Sequence, residues 1–77
     1  MPDRITQKDI DARVGNVNRR LAATGLSVNA AGRNGYIGID EYRDGKMQRM
    51  IMAGTKREVA DFLHAMMVGI DMSRFTV

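Results

Sequence analysis

The 77-residue sequence contains no cysteine, no tryptophan, a single proline and a single histidine. Without cysteine the chain can form neither a disulfide nor a thiolate metal site. No apolar stretch approaches the roughly 20 residues that an α-helix needs to cross a bilayer. We therefore expect a small domain that a thin apolar core holds together, with no cofactor, no metal and no membrane contact.

A large excess of one charge sign is also missing. Twelve basic residues against nine acidic ones give a net charge of +3, which permits anionic partners without requiring them. The apolar fraction of 44% and the charged fraction of 27% are typical of globular proteins rather than of disordered ones. We predict one domain over residues 1–77, with an N-terminal tail at 1–5 and a C-terminal tail at 72–77.

The first predicted element is an α-helix over about residues 7–23. Thr6 is a suitable N-cap, and Asp9 three positions later completes a capping box with a shorter acid than the usual glutamate. Gly25 is a natural end because glycine adopts the left-handed cap conformation at low cost. Apolar residues recur at spacings that line one helical face, namely Ile10, Val14, Val17 and Leu21.

Three strands are predicted to follow. The dipeptides Asn34-Gly35 and Asp44-Gly45 favour two-residue type I′ hairpin turns. These turns join predicted strands over 26–33, 36–43 and 46–53. The two registers that follow place Tyr42 opposite Met47 and Asp40 opposite Arg49. They also put one set of apolar residues on a single sheet face: Val28, Ala30, Ile37, Ile39, Met50 and Met52.

A second helix begins at a full capping box formed by Thr55 and Glu58. Its apolar stripe consists of Val59, Phe62, Leu63, Met66, Met67 and Ile70. The predicted fold is therefore a two-layer α+β domain of order α-β-β-β-α, in which two helices pack on one face of a three-stranded antiparallel meander.

The sequence offers little material for catalysis. His64 falls beyond the apolar stripe of the second helix, where an exposed histidine is commoner than a catalytic base or a metal ligand. Asp40 and Glu41 are neighbours on a predicted strand and point to opposite faces, so they cannot act as a carboxylate pair. We expect a protein that is not an enzyme.

The sheet face opposite the helices is a candidate binding surface. Its tyrosine, methionine and arginine content resembles an interface more than a solvated surface, although a small protein also exposes apolar side chains for want of a larger core. The partner is then another protein or a second copy of the chain. The candidate protein-binding residues are Tyr36, Asp40, Tyr42, Met47, Arg49 and Ile51.

Nucleic acid is the alternative partner. The predicted order, with basic residues at the start of the last helix, is also the layout of double-stranded RNA-binding domains. Against this, the charge excess is small and the arginines point several ways around their helix. The candidate nucleic-acid-binding residues are Arg13, Arg19, Arg20, Lys56 and Arg57.

Two motifs carry a family resemblance. The second strand begins Asn34-Gly35-Tyr36, and the last helix is preceded and opened by Ala-Gly-Thr-Lys-Arg-Glu at 53–58. Together with Val17-Asn18-Arg19 in the leading helix, they resemble a family of short uncharacterised proteins encoded by tailed phages and prophages. The resemblance covers nearly the whole chain and implies a small phage accessory protein in the cytoplasm of the host cell. Such proteins bind host or phage macromolecules, in some cases inhibiting host defence systems as anti-CRISPR proteins do.

Overall fold

The computed structural model describes residues 5–73, except for the side chain of Arg33. Its order is helix, three strands, helix, as the sequence predicts, and the three strands form one antiparallel sheet of order β1-β2-β3. The elements are α1 (Gln7–Leu21), a 3-10 turn (Ala22–Thr24), β1 (Leu26–Arg33), β2 (Tyr36–Arg43), β3 (Lys46–Gly54) and α2 (Lys56–Ser73).

The predicted tails differ from the structure at their inner ends. Residues 72–73 belong to α2, and Ile5 packs against the core just before α1. The remaining tail residues, 1–4 and 74–77, lie outside the described residues.

Both helices begin at the predicted capping boxes. The Thr6 backbone N–H donates to the Asp9 carboxylate at 3.0 Å, and the Asp9 N–H donates to the Thr6 hydroxyl at 3.2 Å. These hydrogen bonds hold the pKa of Asp9 below its ordinary value of 3.8. The bond from the Thr6 backbone has the larger effect, and the bond from the Thr6 hydroxyl the smaller one. At the start of α2, Thr55 and Glu58 exchange the corresponding bonds at 2.8 and 3.1 Å. Local side-chain chemistry therefore sets where each helix starts.

The β1–β2 register is the predicted one, with Val28 opposite Glu41 and Ala30 opposite Ile39. Asp44 and Gly45 both have positive φ, at 52° and 83°, as the type I′ prediction requires. At the other turn the prediction is wrong, because among residues 5–73 Asp44 is the one non-glycine residue with positive φ. In the turn between β1 and β2, the left-handed position is therefore Gly35.

The β2–β3 register departs from the prediction. Tyr42 does lie opposite Met47, but Glu41 then lies opposite Arg49 and Ile39 opposite Met52. Each step skips one residue of β3, first Gln48 and then Ile51, so the strand contains two β-bulges. Because side chains alternate along a strand, each extra residue reverses the face on which the following residues lie.

One apolar core joins the sheet to both helices. Its buried members are Ile10 and Val17 of α1, Val28, Ile37 and Ile39 of the sheet, and Val59, Ala60 and Leu63 of α2. The two helices run in the same direction. At their C-terminal ends the Arg20 Nε lies 2.8 Å from the Asp71 carboxylate, and at their N-terminal ends Gln7 and Lys56 border one surface pocket. Within residues 5–73, neither helix is long and apolar enough to cross a membrane.

Asn18 fastens α1 to the outer edge of the sheet. Its side-chain amide donates to the Val28 carbonyl at 2.9 Å and accepts from the Val28 N–H at 2.8 Å. In a hairpin closed by a two-residue turn, Arg33 and Tyr36 form a hydrogen-bonded pair, and hydrogen-bonded and non-hydrogen-bonded pairs then alternate along the strands. Val28, five residues before Arg33, is therefore in a non-hydrogen-bonded pair, and its backbone groups point away from β2. Asn18 thus occupies the position that an additional strand would take at that residue.

Candidate protein-binding face

The side of the sheet turned away from both helices is called the open face below. Strand alternation and the observed pairing define its residues. Among the described side chains, these are Ser27, Asn29 and Ala31 of β1, Tyr36, Gly38, Asp40 and Tyr42 of β2, and Met47, Met50 and Ala53 of β3.

Exposed apolar side chains are concentrated on the open face. Among residues 5–73, five large apolar side chains are exposed, and three of them, Tyr36, Met47 and Met50, belong to this face. Half-buried Tyr42 lies directly opposite Met47, which extends the apolar patch across two strands. Tyrosine and methionine supply large contact area with adaptable geometry, which suits a surface that another protein covers.

Asp40 lies within this patch but is only 4% exposed. It is the one buried charged residue among the described residues, and none of their buried side-chain polar atoms lacks a hydrogen-bond partner. A carboxylate so far removed from solvent cannot be an accessible contact. Asp40 therefore lies on the open face as predicted, but it is buried by its neighbours and is not available to contact a partner.

The predicted placement of Arg49 and Ile51 on the open face is wrong. The bulges turn Arg49 to the helix side of the sheet, where its Nε donates to the Glu41 carboxylate at 2.7 Å rather than pairing with Asp40. Ile51 is half-buried and packs against the apolar core. Both residues leave the candidate site.

Met50 takes their place, although the sequence analysis assigned it to the core face. It lies opposite Asp40 and is 45% exposed. A signal for this reversal was present in the run Met50-Ile51-Met52, because three consecutive apolar residues cannot all satisfy a strict in-out alternation. Such a run is what a bulge accommodates.

The candidate nucleic-acid residues do not form one patch. Arg20 bonds Asp71 and the Asn16 carbonyl, and Arg19 bonds the Asn16 side chain, all near the C-terminal end of α1. Lys56 and Arg57 are exposed on the first turn of α2. Fourteen residues separate Arg57 from Asp71, which corresponds to about 21 Å along a helix. Half-buried Arg13 lies between the two ends.

His64 is exposed on α2, as expected. In the part of the chain that the structure describes, no group of three or more histidine, aspartate or glutamate side chains is placed to hold a metal ion. No protein-family model, curated protein or solved structure matches the chain.

Proposed function

We propose that the chain is a non-enzymatic binding protein whose open face contacts an apolar surface of another protein. One observation carries the proposal: Tyr36, Met47 and Met50 remain exposed together on the face that the helices leave uncovered. Contiguous exposed apolar patches on small soluble domains mark interaction sites more often than scattered apolar residues do.

The edges of the sheet are poorer interaction sites than its face. Two bulges interrupt the regular pairing of β3, and Asn18 occupies the outer hydrogen-bonding groups of β1 at Val28. Bulges and covered backbone groups are the devices by which proteins keep additional strands from pairing at an edge. A partner is therefore expected to pack on side chains rather than to extend the sheet.

The charge of the face defines the partner's chemistry. Among its described side chains, Asp40 carries the one formal charge, and that carboxylate is buried. An apolar surface on the partner is the complement of the exposed Tyr36, Met47 and Met50. Because salt screens charges and leaves apolar contact nearly unaffected, binding should change little between low and moderate ionic strength.

The size of the face favours a different protein over a second copy. Three strands of eight residues cover about 26 by 14 Å, or roughly 370 Å² in projection. A stable interface buries about 800 Å² on each partner. Side-chain relief makes the accessible area of the face larger than its projection, but a partner that also reaches the rim buries more of it than two open faces stacked on each other do.

We further propose the biological setting that the family resemblance implies. The chain would be a small phage-type accessory protein that binds a host or phage protein in the host cell, in one version to inhibit a defence system. The motifs that carry the resemblance have structural explanations: Thr55 and Glu58 cap α2, and a Cβ at Gly54 would lie 2.5 Å from the Glu58 carboxylate. The setting therefore rests on the resemblance alone.

Paired serine variants test the open face. Met47→Ser with Met50→Ser removes its two most exposed apolar side chains, which are 49% and 45% exposed. Val68→Ser with Met72→Ser is the control, because it removes two exposed side chains of α2, at 39% and 62%. A partner captured by the wild-type chain, then purified and titrated, should bind the first variant at least tenfold more weakly and the control normally. Equal affinities for both variants would sink the assignment.

A second candidate is a nucleic-acid-binding protein. The observation that favours it is the pair of exposed basic residues, Lys56 and Arg57, opening α2 in a fold with the element order of double-stranded RNA-binding domains. In that case binding to a short RNA duplex should weaken steeply with salt and decrease with Lys56→Gln. A partner interaction that ignores salt and nuclease treatment favours the open face instead.

A further inference from the structure

The side of the sheet that faces the helices contains an apolar cleft at the C-terminal ends of α1 and α2. Its volume is about 260 Å³. Six apolar side chains from four elements line it: Leu21, Leu26, Val28, Ile51, Met66 and Ile70. At roughly 30 Å³ for each heavy atom, which is the share of one molecule in liquid water, about eight carbon atoms fill such a volume.

The mouth of the cleft has a defined charge arrangement. Glu41 and Arg49 also line it and form an ion pair, in which the Arg49 side chain is 72% exposed and the Glu41 side chain 21%. The bond between them uses the Arg49 Nε. The two terminal nitrogens of the guanidinium therefore keep four N–H groups in a planar fork that matches a carboxylate.

Further cations surround this position. Arg43 lies two residues after Glu41 on β2 and therefore on the same face of the sheet, and Lys46 lies opposite it on β3. Both residues are exposed. The acidic groups at this end are Glu41, which accepts from Arg49, Asp71, which accepts from Arg20, and Asp44 at the turn, against the four cations Arg20, Arg43, Lys46 and Arg49. The charge that the mouth presents to solvent is thus positive.

We propose that this cleft binds a free amphiphile with one carboxylate head and an apolar chain of about eight carbons. The chain lies among the six apolar side chains, and the carboxylate accepts from the terminal nitrogens of Arg49. The argument combines the volume, the apolar lining and the exposed guanidinium at its rim. It is independent of the open face, which lies on the other side of the sheet, so either proposal can fail alone.

Three ligands of equal chain length test the proposal on the wild-type protein. Octanoate, octanol and octylammonium are titrated while backbone amide shifts are recorded by NMR. Octanoate should bind with a dissociation constant on the order of 0.1–1 mM, as expected for ten heavy atoms. It should bind more tightly than the other two, with the largest shifts at Leu21, Val28 and Ile70.

A charge-matched pair of variants tests the head group. Arg49→Gln should weaken octanoate binding about tenfold and leave octanol binding unchanged, since one charge-assisted pair is lost. Lys56→Gln removes the same charge at the far end of α2 and should change neither. The last measurement is cosedimentation with vesicles of mixed zwitterionic and phosphatidylglycerol lipids. Any cosedimentation should be the same for the wild-type protein and for Arg49→Gln.

Each other outcome overturns the proposal. If octanol or octylammonium binds as tightly as octanoate, Arg49 is not a carboxylate site. The same follows if Arg49→Gln and Lys56→Gln have equal effects. Shifts confined to the open face, or no binding up to the solubility limit, place no ligand in the cleft. Arg49-dependent binding to vesicles without octanoate binding makes a lipid surface the ligand instead.

Discussion

Asn18 makes two hydrogen bonds that no neighbouring residue in the sequence could replace. It lies ten positions before Val28 and bonds both backbone groups of that residue, which is 5% exposed. A side-chain amide suits the role because its oxygen and one of its N–H groups lie on the same side, so it can accept from the N–H and donate to the carbonyl of one strand residue. Asn18 therefore both joins α1 to β1 and closes the edge of the sheet.

Replacing Asn18 by alanine should destabilise the fold by about 1–3 kcal/mol, since a buried N–H and a buried carbonyl lose their partners. Asn16→Ala is the control, because it makes the same change of helix propensity on the same helix. Its own side chain bonds the exposed Arg19. Urea denaturation followed by circular dichroism measures both variants. Equal midpoints would show that the Val28 bonds contribute nothing to stability.

At the scale of elements, β3 decides which residues reach each face of the sheet. The predicted and the observed register agree beside the turn, where Tyr42 lies opposite Met47. They differ after Met47, because the bulges at Gln48 and Ile51 shift the pairing of β3. As a result Met50 is exposed and Ile51 packs against the core, the reverse of what an unbroken alternation predicts.

A pair of serine substitutions distinguishes the two registers. Ile51→Ser should cost about 2–3 kcal/mol of unfolding free energy, since it removes half-buried apolar surface and introduces a hydroxyl. Met50→Ser, on the open face, should change stability by no more than about 0.5 kcal/mol. Chemical denaturation of the two variants provides the comparison. The opposite ranking would restore the unbroken register and return Ile51 to the surface.

The elements that the sequence predicted correctly are those that local chemistry specifies. Thr6 with Asp9, and Thr55 with Glu58, bond across three residues, so the helix starts are visible in the sequence itself. The register of β1 with β2 follows from the length of the turn at Gly35. These features require no knowledge of how the elements pack together.

The features that the sequence did not predict depend on packing between elements. The bulge at Ile51 lets that side chain pack against the core at the cost of one regular step of strand pairing. Whether this exchange is favourable depends on residues of both helices, which strand periodicity does not describe. The Asn18 contact likewise needs the angle at which α1 crosses β1. The candidate site was consequently predicted in part: Tyr36, Tyr42 and Met47 hold their places, whereas Asp40, Arg49 and Ile51 do not.

At the scale of the whole molecule, the sheet separates two surfaces of different character. Among its described side chains, the open face has exposed apolar groups and one charged group, the buried Asp40 carboxylate, while the helix side carries the cleft and the ion pair of Glu41 with Arg49. An interaction at the open face should therefore depend on apolar contact and one at the cleft on charge. Salt distinguishes the two without any substitution.

The area of the open face also predicts the state of the chain in solution. Because two stacked open faces bury less area than a partner that also reaches the rim, we expect the protein to be a monomer at micromolar concentration. Light scattering over a concentration series, at low and moderate salt, measures the mass directly. A dimer that persists on dilution, and that Met47→Ser with Met50→Ser converts to monomer, would make a second copy the partner of the open face. A dimer that those substitutions leave intact would place the contact at an edge strand, where Asn18→Ala should strengthen it by freeing the backbone groups of Val28.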